Sequence, residues 1–340
     1  MRISSARAVE SSDPEQDSAS ATKLLVLIPC LNEDKTIGDV IQRIPNSIEG
    51  VDEIDVAVID DGSTDESAQI ARDLGADVLS HGRNLGVGAA LRTGLRYARM
   101  NNYQYVVNID GDGQFAPEQI PSVLGPVLAG DADLVTASRF ADAALEPEMP
   151  AIKKWGNRRI AGLVRLMTGR NLNDVSCGFR AYSAEVVRAL NLVGNFTYTH
   201  DVILQACFHG FRVREVPMRV IGVRQFGESR VASNLFRYAR LSSRIIFASF
   251  FYFHPMRVFG MMALLFLAPA FALAAFFLFH RFATGAFAPH IWAGFASAFL
   301  FVLGCMAMMI GAIALLFQRL ATQLKQESDL ILDMVHRRHS

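Results

Sequence analysis

Two aspartates stand two residues apart in the run Asp110-Gly-Asp112-Gly-Gln114. Carboxylates spaced i, i+2 in a turn can face one cation together, and the amide oxygen of Gln114 offers a third ligand. Hard oxygen donors of this kind suit Mg2+ or Mn2+ and not zinc. An EF-hand starting at Asp110 is excluded, because the position that needs glutamate holds Pro121. Proteins usually hold Mg2+ with a few carboxylates plus substrate phosphates, so the partner this motif calls for is a nucleoside diphosphate. Two more polar clusters, Asn32-Glu33 and Asp60-Asp61-Gly62-Ser63, follow short apolar runs in the same manner.

Elements must bring these clusters together. Apolar runs at Leu24–Pro29, Ile54–Ile59, Ala76–Leu79, Tyr103–Ile109 and Leu134–Ala137 read as strands, with amphipathic helical patterns between them. Strands alternating with helices predict a mostly parallel α/β sheet covered on both faces. The Asn32, Asp60 and Asp110 clusters each sit just beyond the C-terminal end of a strand, the edge where open α/β sheets bind ligands. One such cluster reads equally well as solvated loop charge. Three at the same edge point to a site. The glycine-rich run Arg83–Ala90 is not a dinucleotide fingerprint, since Leu91 takes the third glycine position and the run follows the third strand. It still presents a helix N-terminus to an anion. No Gly-Lys-Ser/Thr phosphate loop is present.

The chain has 340 residues, with 33 basic and 33 acidic side chains and no net charge, which argues against a nucleic-acid partner. With 51% hydrophobic and 19% charged residues it is not a disordered polymer. The apolar residues are concentrated near the C-terminus. Val258–Phe279 and Ile291–Phe317 contain no charged residue, and each exceeds the roughly 20 residues that cross a bilayer core. They predict a two-span hairpin over 257–318, with a cytoplasmic tail at 319–340. Arginines flank both ends while only Arg281 lies in the connecting loop, so positive-inside logic places both termini in the cytoplasm. Residues 1–22 read as a disordered tail without a signal peptide. Arg237, Arg240 and Arg244 share a helical face next to apolar residues, which predicts an interfacial helix over 236–256 on membrane lipid. Between Met149 and Asn173 there are basic residues and no acidic ones, a second stretch suited to a lipid phosphate. Small residues at Gly294, Ala298, Gly304 and Gly311 permit close helix packing and a homo-oligomer. The four cysteines lack metal or redox spacing and read as reduced thiols. His200 and Asp201 read as the start of a helix.

Taken in order, VLIPCLNE (Val26–Glu33), VIDDGSTD (Val58–Asp65), RNLGVGAAL (Arg83–Leu91), NIDGDGQFAPE (Asn108–Glu118), DVSCGFRAYS (Asp174–Ser183) and GESR (Gly227–Arg230) resemble a family 2 glycosyltransferase of the dolichyl-phosphate mannose synthase type. The resemblance covers about residues 23–235 and implies a GT-A-like, Rossmann-type nucleotide-sugar domain. It implies an inverting enzyme that moves a sugar from a UDP- or GDP-sugar to a polyprenyl phosphate, dolichyl or undecaprenyl. By the same resemblance Pro29, Asn32 and Glu33 lie against the nucleotide, Asp60 and Asp61 hold base or ribose, and Arg83 lies near them. Asp110, Asp112 and Gln114 hold the metal that bridges the diphosphate. Arg139 and Arg180 face the acceptor phosphate or the diphosphate. Arg230 stands where the family often has lysine, keeping the charge and changing the geometry. Some relatives carry an aspartate at the position of Gly178, which leaves Asp174 as the acid of its motif.

A phosphate monoester acceptor is largely ionised near pH 7, its second pKa being about 6, so the reaction does not require a strong general base. Two other readings compete. One is a transferase acting on another lipid or glycan, although the Gln-x-x-Arg-Trp motif of processive relatives is missing. The other is a non-catalytic membrane scaffold, which has no need to retain Asp60, Asp61, Asp110 and Asp112 together.

Overall fold

The structure is a computed structural model that describes residues 21–147, 149–192, 198–221, 235–285, 288 and 290–339. Its soluble part is one seven-stranded sheet, formed by β1 (Lys23–Cys30), β2 (Glu53–Asp60), β3 (Asp77–Ser80), β4 (Tyr105–Asn108), β5 (Leu134–Ser138), β6 (Arg180–Ser183) and β7 (Val213–Pro217). The strand order is β3-β2-β1-β4-β6-β5-β7. All five runs expected from the sequence are strands, within one or two residues at their ends. The strands β6 and β7 were not expected. β6 reads Arg-Ala-Tyr-Ser and β7 carries Arg214 and Glu215, so neither shows an apolar run.

Successive side chains along a strand point to opposite faces, and both faces of β1 are apolar. Leu24, Val26 and Ile28 pack with α1 (Ile37–Gln42), α2 (Ser67–Asp73) and α4 (Ile120–Leu128). Leu25 and Leu27 pack on the other face with α3 (Val87–Met100), α5 (Ala151–Thr168), α6 (Ala184–Ala189) and α7 (Thr199–Phe208). Strands buried on both sides have no polar face to alternate with, which explains the continuous apolar runs.

β6 runs antiparallel between β4 and β5. That reversal matters for function. β1, β2, β4, β5 and β7 deliver their C-terminal ends to one edge of the sheet, whereas β6 delivers its N-terminal end there. Arg180 lies beside Asn108 and Thr136, so the Asp174–Phe179 approach to β6 reaches the same edge as Asp110.

Beyond the sheet, α8 (Leu235–Phe253) packs against α7 through Ser249 Oγ, which donates to Asp201 Oδ1 at 3.1 Å, and through Phe208 and Phe253, whose centroids are 5.0 Å apart. Arg240 and Arg244 are exposed on α8, and Phe247, Phe251 and Tyr252 expose apolar surface. The helix breaks at His254, and α9 (Pro255–Thr284) begins with Pro255, a residue suited to a first helical turn. α9 and α10 (Ile291–His339) form an antiparallel hairpin. Pro255–Thr284 and Ile291–Leu324 are candidate membrane spans, with only 11% and 17% of their most apolar windows buried, unlike the core helices of a soluble protein. The expected tail at 319–340 is helical: α10 continues to His339, through residues free of glycine and proline. The small residues of the second span are used within the chain. A Cβ at Gly304 would meet the Leu267 side chain at 2.6 Å, and one at Gly311 would meet Phe259 Cβ at 2.8 Å.

Candidate active site

The β1–α1 and β2–α2 loops are knitted into one surface. Asn32 takes a left-handed backbone with φ 50°, which asparagine tolerates. Its Oδ1 accepts from Thr64 N at 2.8 Å, and its own N–H donates to Ser63 Oγ at 2.9 Å. Glu33 N–H donates to Ser67 Oγ at 2.7 Å, while Glu33 O caps α1 by accepting from Ile37 N at 2.9 Å. Pro29 and Glu33 are partly exposed along this surface.

Asp60 and Asp61 are buried and engaged within the protein. Asp60 accepts from Ser63 N at 2.8 Å and from Ser80 Oγ. Burial pushes its pKa up, but the Ser63 and Ser80 hydrogen bonds outweigh burial and hold the carboxyl below its usual range. Asp61 accepts from Leu85 N at 2.9 Å and Gly86 N at 2.8 Å, and pairs with His81 Nδ1 at 2.8 Å. His81 Nε2 lies 2.8 Å from Thr93 Oγ1. Asp61 thereby fixes the N-terminus of α3 and the loop that carries Arg83, whose side chain is exposed. Gly62, with φ +83°, allows that loop to approach: a Cβ there would lie 2.5 Å from the Arg83 carbonyl carbon. His81 and Ser80 do not stand out in the sequence, being ordinary polar residues until the strand ends are placed side by side.

Asp110 and Asp112 follow β4 on a loop locked from both sides. Thr36 Oγ1 donates to Gly111 O at 2.7 Å, and Asp112 Oδ1 accepts from Gln114 N at 3.0 Å, a side-chain turn typical of aspartate. Gln114 Nε2 donates to Ile221 O at 2.9 Å, and Ile221 N–H donates to Gln114 O at 3.1 Å. Ile221 belongs to the segment that continues into the Gly227–Arg230 motif. That motif and Arg230 lie outside the described residues. Both aspartates are partly exposed. Among the described residues no group of three His, Cys, Asp or Glu side chains is arranged to hold a metal. Two accessible hard oxygen donors with no third acid fit a cation whose coordination is completed by a diphosphate.

Arg139 and Asp174 form a tight pair. Arg139 Nε donates to Asp174 Oδ2 at 2.6 Å and Nη2 to Oδ1 at 3.0 Å, with Ser176 Oγ accepting a further bond at 2.6 Å. Asp174 is fully buried. Burial raises its pKa, yet the Arg139 charge and hydrogen bonds prevail and hold it below the usual carboxylate range. Asp174 is thereby held as the counter-charge of Arg139. Glu215 on β7 supports the turn by accepting from Asn173 N at 2.7 Å and Asp174 N at 2.6 Å. Arg180 is also fully buried, donating to Thr136 Oγ1 and Val175 O at 3.3 Å each. Of the two arginines expected to face an acceptor phosphate, Arg180 is fully buried, whereas the Arg139 side chain stays partly exposed beside its bonds to Asp174. His200 and Asp201 lie inside α7, which begins without a side-chain cap. Burial, then the Arg180 charge, lowers the His200 pKa to about 4, so it is neutral at physiological pH.

Beside the Arg139–Asp174 pair is a cavity of about 270 Å3 lined by Phe140, Glu146, Arg158, Ala161, Arg165 and Asn173. Glu146 pairs with Lys154 and Arg158, each at 3.3 Å. The Arg158 and Arg165 side chains are exposed on the α5 face at its rim.

Comparison with known proteins places this chain among sugar transferases. Residues 25–190 match the family described as Glycosyl transferase family 2. The undecaprenyl-phosphate mannosyltransferase of Micrococcus luteus is 30% identical over 222 residues, covering 63% of this chain and 89% of the relative. The polyprenol monophosphomannose synthase of Mycolicibacterium smegmatis is 28% identical over 242 residues, covering 65% of this chain and 88% of the relative. Among solved structures, the glucosyl-3-phosphoglycerate synthase of Mycobacterium tuberculosis, in complex with Mn2+, UDP-glucose and phosphoglyceric acid, superimposes with a TM-score of 0.54 at 25% identity. That match covers 68% of this chain and 80% of the other, and the shared fold is GT-A-like.

Proposed function

Because the chain belongs to glycosyl transferase family 2, and is a glycosyltransferase, we propose that it moves a sugar from a nucleoside-diphosphate sugar to a polyprenyl phosphate at the cytoplasmic face of a membrane. The observation that carries this reading is that the Asp110–Asp112 loop follows β4 at the sheet edge where Arg139 follows β5, with Arg158 and Arg165 lining a cavity nearby, in a chain that has two candidate spans. The similarity to polyprenyl-phosphate mannosyltransferases supports the acceptor class.

In this reading the nucleotide lies over the joined β1–α1 and β2–α2 loops. Asn32, Glu33 and the Asp60–Asp61 shelf shape its base and ribose pocket, with Pro29 and Arg83 at the margins. Asp110 and Asp112, with Gln114 beside them, would hold Mg2+ or Mn2+ against the diphosphate; the cation, when bound, supplies charge neutralisation of the leaving group. The acceptor is already an anion, so the protein has to tolerate two phosphate groups close together and need not remove a proton. Arg158, Arg165 and Lys154 around the α5 cavity can receive the lipid phosphate, as guanidinium groups bind it bidentately. Arg139 contributes by holding the cavity wall through Asp174, and Arg230 supplies a further cation from its motif. The acceptor oxygen attacks the anomeric carbon as the diphosphate departs, which inverts that centre. The exposed arginines of α8 rest on lipid headgroups, and positive-inside logic keeps both termini cytoplasmic.

The test is incubation of the full-length protein with Mg2+, polyprenyl phosphate and a panel of UDP- and GDP-sugars, followed by anomeric analysis of the lipid product. One donor giving a product of inverted configuration supports the reading. A product of retained configuration contradicts direct displacement.

A further inference from the structure

Directly beneath Asp110, the sheet face covered by α7 carries polar side chains where apolar ones would be expected. Asn108, Thr136, Ser138, Arg180 and Tyr182 are buried, and Tyr198, just before α7, closes the layer. Asn108 Nδ2 donates to Gly178 O at 2.8 Å and to the Tyr198 hydroxyl at 2.9 Å. The Arg180 guanidinium carbon lies 6.0 Å from the Tyr198 ring centroid. Buried polar layers of this kind are costly unless they hold something in place.

Gly178 reveals what is held. A Cβ at that position would lie 2.9 and 3.1 Å from the two carboxylate oxygens of Asp110 and 3.0 Å from the Tyr198 hydroxyl. The carboxylate and the phenol therefore face each other across the space that a side chain at 178 would fill. Asn108 occupies an acceptor position on the phenol oxygen, which leaves the phenolic proton for donation toward the facing carboxylate.

We infer that Tyr198 is a positioning residue for Asp110: its O–H, with the oxygen held by Asn108, turns toward the carboxylate that meets the cation, and residue 178 is glycine so that the two groups can share one space. This rests on the proposed role of Asp110 in metal binding. A phenol ordinarily titrates at about 10, so Tyr198 carries its proton at working pH. Hydrogen-bond partners of metal ligands commonly matter tenfold to a hundredfold for affinity.

The experiment is an EPR titration of free Mn2+ by the full-length protein in detergent, with UDP or GDP present, alongside thermal unfolding. Tyr198→Phe is expected to weaken Mn2+ binding about tenfold. Gly178→Ala, which separates the two groups without removing either, should weaken it in the same direction, and the double variant should be no weaker than the worse single one. A residue that only packs would lower the unfolding temperature and leave Mn2+ affinity unchanged; that result for both variants overturns the inference. Failure of the unaltered protein to retain Mn2+ would instead overturn the metal-binding role of Asp110 on which the inference depends.

Discussion

Arg139 and Asp174 show how a residue's type can be legible while its task is not. The sequence marks both as functional, but only the structure reveals that each is the other's partner. Removing one side of a buried pair strands the other charge, at a cost of about 3–5 kcal/mol. Arg139→Ala should therefore lower thermal stability severely, and adding Asp174→Ala should restore part of it, since the stranded charge is then gone. Unfolding of the two variants measures this. His200 carries a separate, pH-dependent prediction. Its folded pKa of about 4 lies below the ordinary 6.5, so between those values the unfolded chain binds the extra proton and the folded one does not. Stability attributable to His200 is intact above pH 6.5 and falls by about 3 kcal/mol as pH drops to 4. Asp174, with its depressed pKa, adds loss only below the usual carboxylate range. His200→Gln should flatten the slope between pH 6.5 and 5, read as the pH dependence of the unfolding temperature.

At the scale of elements, the apolar runs of β1, β4 and β5 are visible in the sequence because strands buried on both faces must be largely apolar. β6 and β7 are not visible, because short strands beside the site carry Arg180, Arg214 and Glu215. The same two strands bring the Asp174 turn to the Asp110 edge, so the missed elements hide part of the site. Glu215 is the clearest case: it lies far from every motif in sequence, yet accepts the Asn173 and Asp174 amides. Glu215→Ala should loosen that turn and lower transfer about tenfold or more, whereas Glu215→Gln, which keeps one acceptor oxygen, should lose less. Steady-state transfer rates of the two variants distinguish them. Loop contacts such as Asp61 with the Leu85 and Gly86 amides escape sequence reading for a similar reason. They depend on which strand ends are neighbours, and spacing along the chain does not encode that.

At the scale of the whole molecule, neutral charge conceals an acidic pair on the sheet edge, a basic rim on α5 and two helices with exposed apolar surfaces. The hairpin depends on close approach at Gly304, where a Cβ would meet Leu267 at 2.6 Å. Gly304→Leu should separate α9 from α10 and increase proteolysis of the hairpin in detergent, with the soluble sheet unaffected. In the proposed reaction the two halves of the molecule meet, with a sugar donor held over the sheet edge and a phosphate acceptor supplied from the bilayer. The most direct measurement is organic-solvent extraction of radiolabel after incubating full-length protein with a labelled nucleotide-sugar, Mg2+ or Mn2+, and polyprenyl phosphate. Label should enter the lipid phase with at least one donor, only when polyprenyl phosphate is present, and should disappear with EDTA or with Asp112→Ala. Label that never enters the lipid phase with any donor, or that enters equally with Asp112→Ala, would contradict the account.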